Sequence, residues 1–342
     1  MQKFHSGYYL NLGEGKLSAE EYSEICIKNK NLELISDNYS GENYRIEWEY
    51  NSYWKGLGFI ICAESEEIAK DILYNLHCSV SAVNGHNEFK YPMSAIESKI
   101  DLSQRSLDEK IGYKNIQGYS SPSIPLIFYL LKKASCNSSL LNGIIKYHLS
   151  TEIIYFNEME VNDIEDWKTS GSRYFQMRFA YAIITAYSVI EELGLEVRAS
   201  KDNPTKLPNG EWNPLVLEPL EKRLMNANIN LEKKFLWINR GEETEIEKRY
   251  PLKYSNLILE RNNETEQGNK VDNEYFEFMK DCYVYLPDAI NYLSTLRSKV
   301  SSHAVGDRIM NLSVYDVANA QMLARTLLLE SSGTLELFDS VR

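Results

Sequence analysis

Positive charge is scarce in this sequence: 37 Lys and Arg stand against 49 Asp and Glu, a formal net charge of -12 over 342 residues. Proteins that coat or track long nucleic acid draw their affinity largely from neutralised phosphates, so this balance argues against a sequence-reading DNA binder. It argues equally against attachment to an anionic membrane surface. Cysteine is also sparse. The five residues Cys26, Cys62, Cys78, Cys136 and Cys282 stand apart, with no Cys-x-x-Cys and no Cys/His cluster. That excludes a disulfide framework or a zinc site and leaves reduced, buried thiols. Long hydrophobic runs are missing too, since stretches such as Ile124 to Leu131 are too short to cross a bilayer. The first residues are polar and Tyr-rich, unlike a secretory leader, so the expected compartment is the cytoplasm. No glycine-rich loop joins a strand to a helix, which removes support for nucleotide binding. The acidic run Asn157 to Asp166 lacks the spacing of a calcium loop and reads as a solvated boundary. No metal and no cofactor is expected.

What is present is globular: 43% hydrophobic and 25% charged residues, enough to pack a core. The pattern predicts an α+β chain that is mostly α, with a first region over 1–165 and a second over 166–342. Arg45 to Tyr50 alternates polar and apolar side chains, as a half-buried strand does, and Gly56 to Cys62 reads as a buried strand. A helix from Glu66 to about Val83 follows, with Ile68, Ile72, Leu76 and Val80 at four-residue spacing. Residues 96–165 read as mostly helical, with a break at Ser120 to Pro125. His148 in that stretch reads as a packed or surface histidine rather than a ligand.

The second region is more regular. Phe175, Phe179, Ile183, Ala186, Ile190 and Leu193 form one apolar stripe that Gly194 ends. A second helix is predicted from about Pro214 to Asn230. The charged, Asn- and Glu-rich stretch 239–273 reads as a mobile loop inserted in the domain. A third helix starts near Pro287 and Asp288 and carries Ile290, Leu293, Leu296 and Val300. Gly306 follows as a stop, and Ser313 with Asp316 makes a capping-box-like start for a fourth helix. Its stripe is Val317, Ala320, Ala324 and Leu327. Four helices with an insertion predict a bundle.

Near the end of the third helix, Arg297 to His303 reads RSKVSSH, directly before the capped start of the fourth. Here the chain resembles the HEPN superfamily, small helical bundles marked by an Arg, four to six residues, then a His. The resemblance covers roughly residues 172–331. It departs from the commonest form at Ser298, where the family often carries Asn or another amide or acid; a serine still hydrogen-bonds. On one ideal helix Arg297 and His303 differ by about 120° in direction and by roughly 9 Å along the axis. They converge on one atom only if the helix loosens near Ser301 and Ser302, or if a second copy completes the site. The family solution, which the resemblance implies here, is a homodimer with two motifs facing one cleft.

The implied activity is metal-independent cleavage of RNA by its own 2'-hydroxyl, in a defence or toxin-like effector whose N-terminal region senses or restrains it. His303 would exchange a proton near neutral pH and Arg297 would hold the phosphate. Ser298 would support the pair, while Lys299 and Arg308 would add local positive potential. A second function stays open, a HEPN-like dimer that binds a protein or nucleotide and cuts nothing. So does a plain structural role, with Arg297 paired to a carboxylate on a neighbouring helix and His303 a polar helix end. Glu191 and Glu192, at the end of the first helix of the bundle, are candidates to approach the site, though adjacent residues point apart. The 24 Tyr offer stacking surfaces but lack the interleaved basic residues of a nucleic-acid groove.

Overall fold

A computed structural model of the chain describes residues 2–11, 35–39, 42–51, 56–85, 96–98, 123–154, 173–237, 260–261, 282–303, 312 and 314–335. The architecture is α+β and mostly helical. The chain divides into two compact units: residues 1–148 with 332–342, and residues 149–331. The boundary expected at 165/166, the acidic run before it, and Gly306 and Ser313 lie outside the described residues.

The first unit is built on an antiparallel sheet of β1 (Gln2–Asn11), β2 (Ile35–Tyr39), β3 (Glu42–Asn51), β4 (Gly56–Ala63) and β5 (Ile96–Ser98), in the order β2-β3-β4-β1-β5. Both predicted strands form, as β3 and β4. Register sets their packing: Ile61 stands opposite Ile46 on one side and Phe4 on the other, and all three are buried. Strand β5 falls where helix was expected; three residues pair with β1 against Phe4, His5 and Ser6. Such a short edge strand carries too few residues to show a period.

Helix α1 (Glu66–Asn84) starts where predicted. Ser65 caps it by accepting from the Ile68 amide at 3.3 Å, and Glu66 and Glu67 complement the dipole of its first turn. Gly85 ends it at φ 87°, a left-handed conformation that suits a residue without Cβ. Helices α2 (Ser123–Ser135) and α3 (Ser138–Ile153) follow, so α2 begins within the break expected at Ser120 to Pro125, and residues 120–122 of that break lie outside the described residues. His148 is fully buried, with its Nδ1 2.8 Å from Ser81 Oγ and its ring against Tyr74 and His77. Cys62 and Cys78 are buried free thiols, whereas Cys136 is exposed in the turn between α2 and α3, against the expectation of burial.

The second unit holds helices α4 (Arg173–Glu192), α5 (Pro214–Asn226), α6 (Leu286–His303) and α7 (Val314–Ser331). It also holds a three-stranded antiparallel sheet of β6 (Lys234–Trp237), β7 (Glu260–Arg261) and β8 (Cys282–Tyr285), ordered β6-β8-β7. The sheet corrects the all-helical picture, and β7 places a paired segment inside the stretch expected to be loop. Helix α4 packs against both α6 and α7, and α6 also touches α5, β6 and β8. The apolar stripe of α6 is buried at Ile290, Leu293, Leu296 and Val300. Helix α7 is buried on more than its predicted stripe, because Ala318, Leu323, Leu328 and Leu329 are also covered.

Helix α5 stops earlier than expected. Asn228 takes φ 59°, its amide donates to Met225, and the Ile229 amide reaches back to Leu224 at 3.0 Å. This is a Schellman ending with asparagine at the left-handed position, sealed by buried Leu224 and Ile229.

Gln321 on α7 closes the end of α3. Its Nε2 donates to the Ile154 carbonyl at 2.7 Å and to the Ser150 carbonyl at 3.1 Å, and Arg178 Nε donates to the Ile153 carbonyl at 3.0 Å. Terminal carbonyls of a helix have no intrahelical partner, and buried ones demand another. Gln321→Leu keeps the volume and removes the donor, so the expected loss is about 2 kcal/mol of unfolding free energy. Urea denaturation checks this, and a loss of only a few tenths would mean that water replaces the amide.

Candidate functional site

The C-terminal half of α4 faces the middle of α6. Gly194, at φ 69°, ends α4 in a second Schellman turn: the Leu195 amide donates to Ile190 at 2.9 Å and the Gly194 amide to Glu191 at 3.0 Å. Leu195 and Ile190 are buried, which anchors the turn. The anchor fixes Tyr187 and Glu191, four residues apart and on one face of α4.

Arg297 meets that face from α6. Its Nη2 donates to Glu191 Oε1 at 2.9 Å, and its guanidinium carbon sits 5.6 Å from the centroid of the Tyr187 ring. The side chains of Arg297 and Glu191 are 36% and 38% exposed, so solvent reaches both partners of the ion pair. Tyr187 is buried and hydrogen-bonds Ser294, one turn before Arg297. Burial raises its phenol above the ordinary value of 10.0; the Ser294 bond works against that shift, Glu191 and Glu196 add to it, and Arg297 opposes it. The hydroxyl therefore stays protonated at neutral pH and the ring remains a neutral platform under the guanidinium.

Just beyond the turn, Glu196 gathers two more arginines. Arg198 Nε donates to its carboxylate at 2.5 Å and Arg223 Nη2 to its carbonyl at 2.7 Å. Burial, reinforced by Arg198, lowers the Arg223 guanidinium below its usual value, and Glu196 opposes this. Three guanidinium groups thus sit on or beside the carboxylates that follow Tyr187.

The remaining members of the motif are placed in part. Ser298 turns its hydroxyl onto its own helix, donating to the Ser294 carbonyl at 2.9 Å. Lys299 and His303 belong to α6 by their backbone, and their side chains lie outside the described residues, as does all of Arg308. Helix α6 runs unbroken through Ser301 and Ser302 to His303. The loosening that would let one chain bring Arg297 and His303 together is absent, and about 9 Å and 120° of helix separate the two positions. Of the two glutamates at the end of α4, it is Glu191 that pairs with Arg297. Tyr187 and Ser294 did not stand out in the sequence. The signal for them was helical spacing, Tyr187 four residues before Glu191 and Ser294 three before Arg297.

Among the described residues, no three His, Cys, Asp or Glu side chains gather as metal ligands would. Nor is any helix among them long and apolar enough to cross a membrane. No family model matches the chain, and neither a curated protein nor a solved structure matches it.

Proposed function

We propose that the second unit is a metal-independent endoribonuclease of the HEPN type, acting as a homodimer in a defence or toxin-like role. The observation that carries this reading is the position of RSKVSSH on α6. Arg297 reaches the surface over an aromatic platform, and the helix continues to His303 at its end. A guanidinium with open donors suits a phosphodiester, and an imidazole suits the proton transfers at the 2'- and 5'-oxygens. In that reaction the RNA 2'-oxygen bonds to phosphorus while the bond to the 5'-oxygen breaks. One proton leaves the 2'-hydroxyl and one reaches the departing oxygen. Because an unbroken helix keeps Arg297 and His303 apart, one protomer's Arg297 would work with the other's His303.

A second reading, a HEPN-like module that binds a protein or nucleotide without cutting, draws on the Glu191 ion pair, which keeps Arg297 occupied. Incubation with labelled RNA and DNA in EDTA separates the two. The nuclease cuts RNA and spares DNA; no cleavage under any condition leaves the binding module. The composite site also requires a dimer. Sedimentation at micromolar protein is expected to give twice the chain mass, and a monomer unchanged by added RNA would rule out a site shared between copies.

A further inference from the structure

Arg297 is engaged before any substrate arrives, and what engages it resembles the substrate's anionic oxygens. A carboxylate and a phosphodiester both accept the forked donors of a guanidinium, so they compete for one group. Glu191 is held at its post by the turn at Gly194, while the Tyr187 ring on the same face of α4 lies 5.6 Å from the guanidinium carbon. The pair itself is open to solvent and is therefore weak enough to exchange. We infer that Glu191 is an affinity-setting residue of this site: its carboxylate holds the Arg297 Nη2 donor that an RNA phosphate takes, so RNA binds by displacing it. The inference rests on the phosphate-binding reading of Arg297. It gives Glu191 a function beyond structure, which is to keep the site silent toward weak or isolated anions and responsive to a strand that supplies several phosphates at once.

The test uses the full chain and a 2'-O-methyl RNA oligonucleotide, which binds but cannot be cut, followed by fluorescence anisotropy at low salt. Glu191→Gln is expected to bind roughly two- to fivefold more tightly than the parent protein, the range an exposed ion pair supports. The gain should shrink as salt rises and vanish when Arg297→Ala is also present. Glu191→Asp, which keeps the charge and shortens the reach, should tighten binding as well and stands in if the first variant does not fold. Unchanged or weaker binding by the folded variants, while Arg297→Ala still weakens binding, overturns the competitor and leaves the phosphate site standing. An equal gain in the Arg297→Ala background assigns the effect to net charge alone and also overturns it. Binding that ignores Arg297→Ala removes the phosphate site and the inference with it.

Discussion

Asp288→Ala is expected to lower the unfolding free energy by roughly 3 kcal/mol, because it removes a buried carboxylate that accepts from two side chains. Asp288 lies in the first turn of α6 and only 7% of its side chain is exposed. Its Oδ1 accepts from Trp212 Nε1 at 2.8 Å and from Lys206 Nζ at 3.2 Å, and the Lys206 ammonium also lies 4.2 Å from the Trp212 ring centroid. Lys206 and Trp212 face each other as a β-bridge across a turn with Gly210 at φ 91°. One carboxylate therefore pins this loop to the helix that carries Arg297 and adds negative charge at the helix's positive end. Truncating it takes the acceptor from the indole N–H and one anionic partner from the ammonium, which costs more than losing an exposed pair. Double replacement by apolar residues, Asp288→Leu with Lys206→Met, should recover part of the loss, because neither charge of this pair then remains. Urea denaturation measures both variants. A single-variant loss below about 1 kcal/mol would show that water already screens the pair.

Residues that act through local chemistry were legible in the sequence. The stripes of α4, α6 and α7 repeat at helical spacing, and Gly194 marks the end of α4 because glycine takes a left-handed turn without strain. Asn228 performs the same task at the end of α5, but asparagine also occupies many other places, so the helix read four residues too long. The sheet of the second unit was not legible for a different reason. Strands β6 and β8 have four residues each and β7 has two, and Trp237 is buried between Phe235 and Tyr292 by pairings that span long stretches of chain. Non-local pairing of this kind leaves no period in any one segment. Arg297 was legible as a residue of consequence, and a carboxylate on a neighbouring helix was one reading of its partner. That Glu191 is the partner depends on how α4 and α6 cross, which neither helix encodes alone. The extra burial of α7 has the same origin, since α4 and the end of α3 both press on it.

His303→Ala is expected to reduce RNA cleavage by roughly 10²- to 10⁴-fold, the range typical of removing a general acid or base. Arg297→Ala should act as strongly through lost charge stabilisation. The stability cost of Arg297→Ala is small, since it breaks an exposed ion pair and a ring contact, worth about 1 kcal/mol together. Folded protein with lost activity is therefore the expected outcome for Arg297→Ala, and thermal melts beside the activity assay check it. If both variants keep the parent rate, the motif is a structural feature of α6.

The most direct measurement is the chemistry of the cut ends. Purified protein is incubated with end-labelled RNA in EDTA, and the products are resolved beside those from His303→Ala. Attack by the internal 2'-hydroxyl predicts a 2',3'-cyclic phosphate on one fragment and a 5'-hydroxyl on the other, formed without metal and absent from the variant. Cleavage that needs a divalent ion, leaves a 5'-phosphate, or persists in His303→Ala would contradict the account.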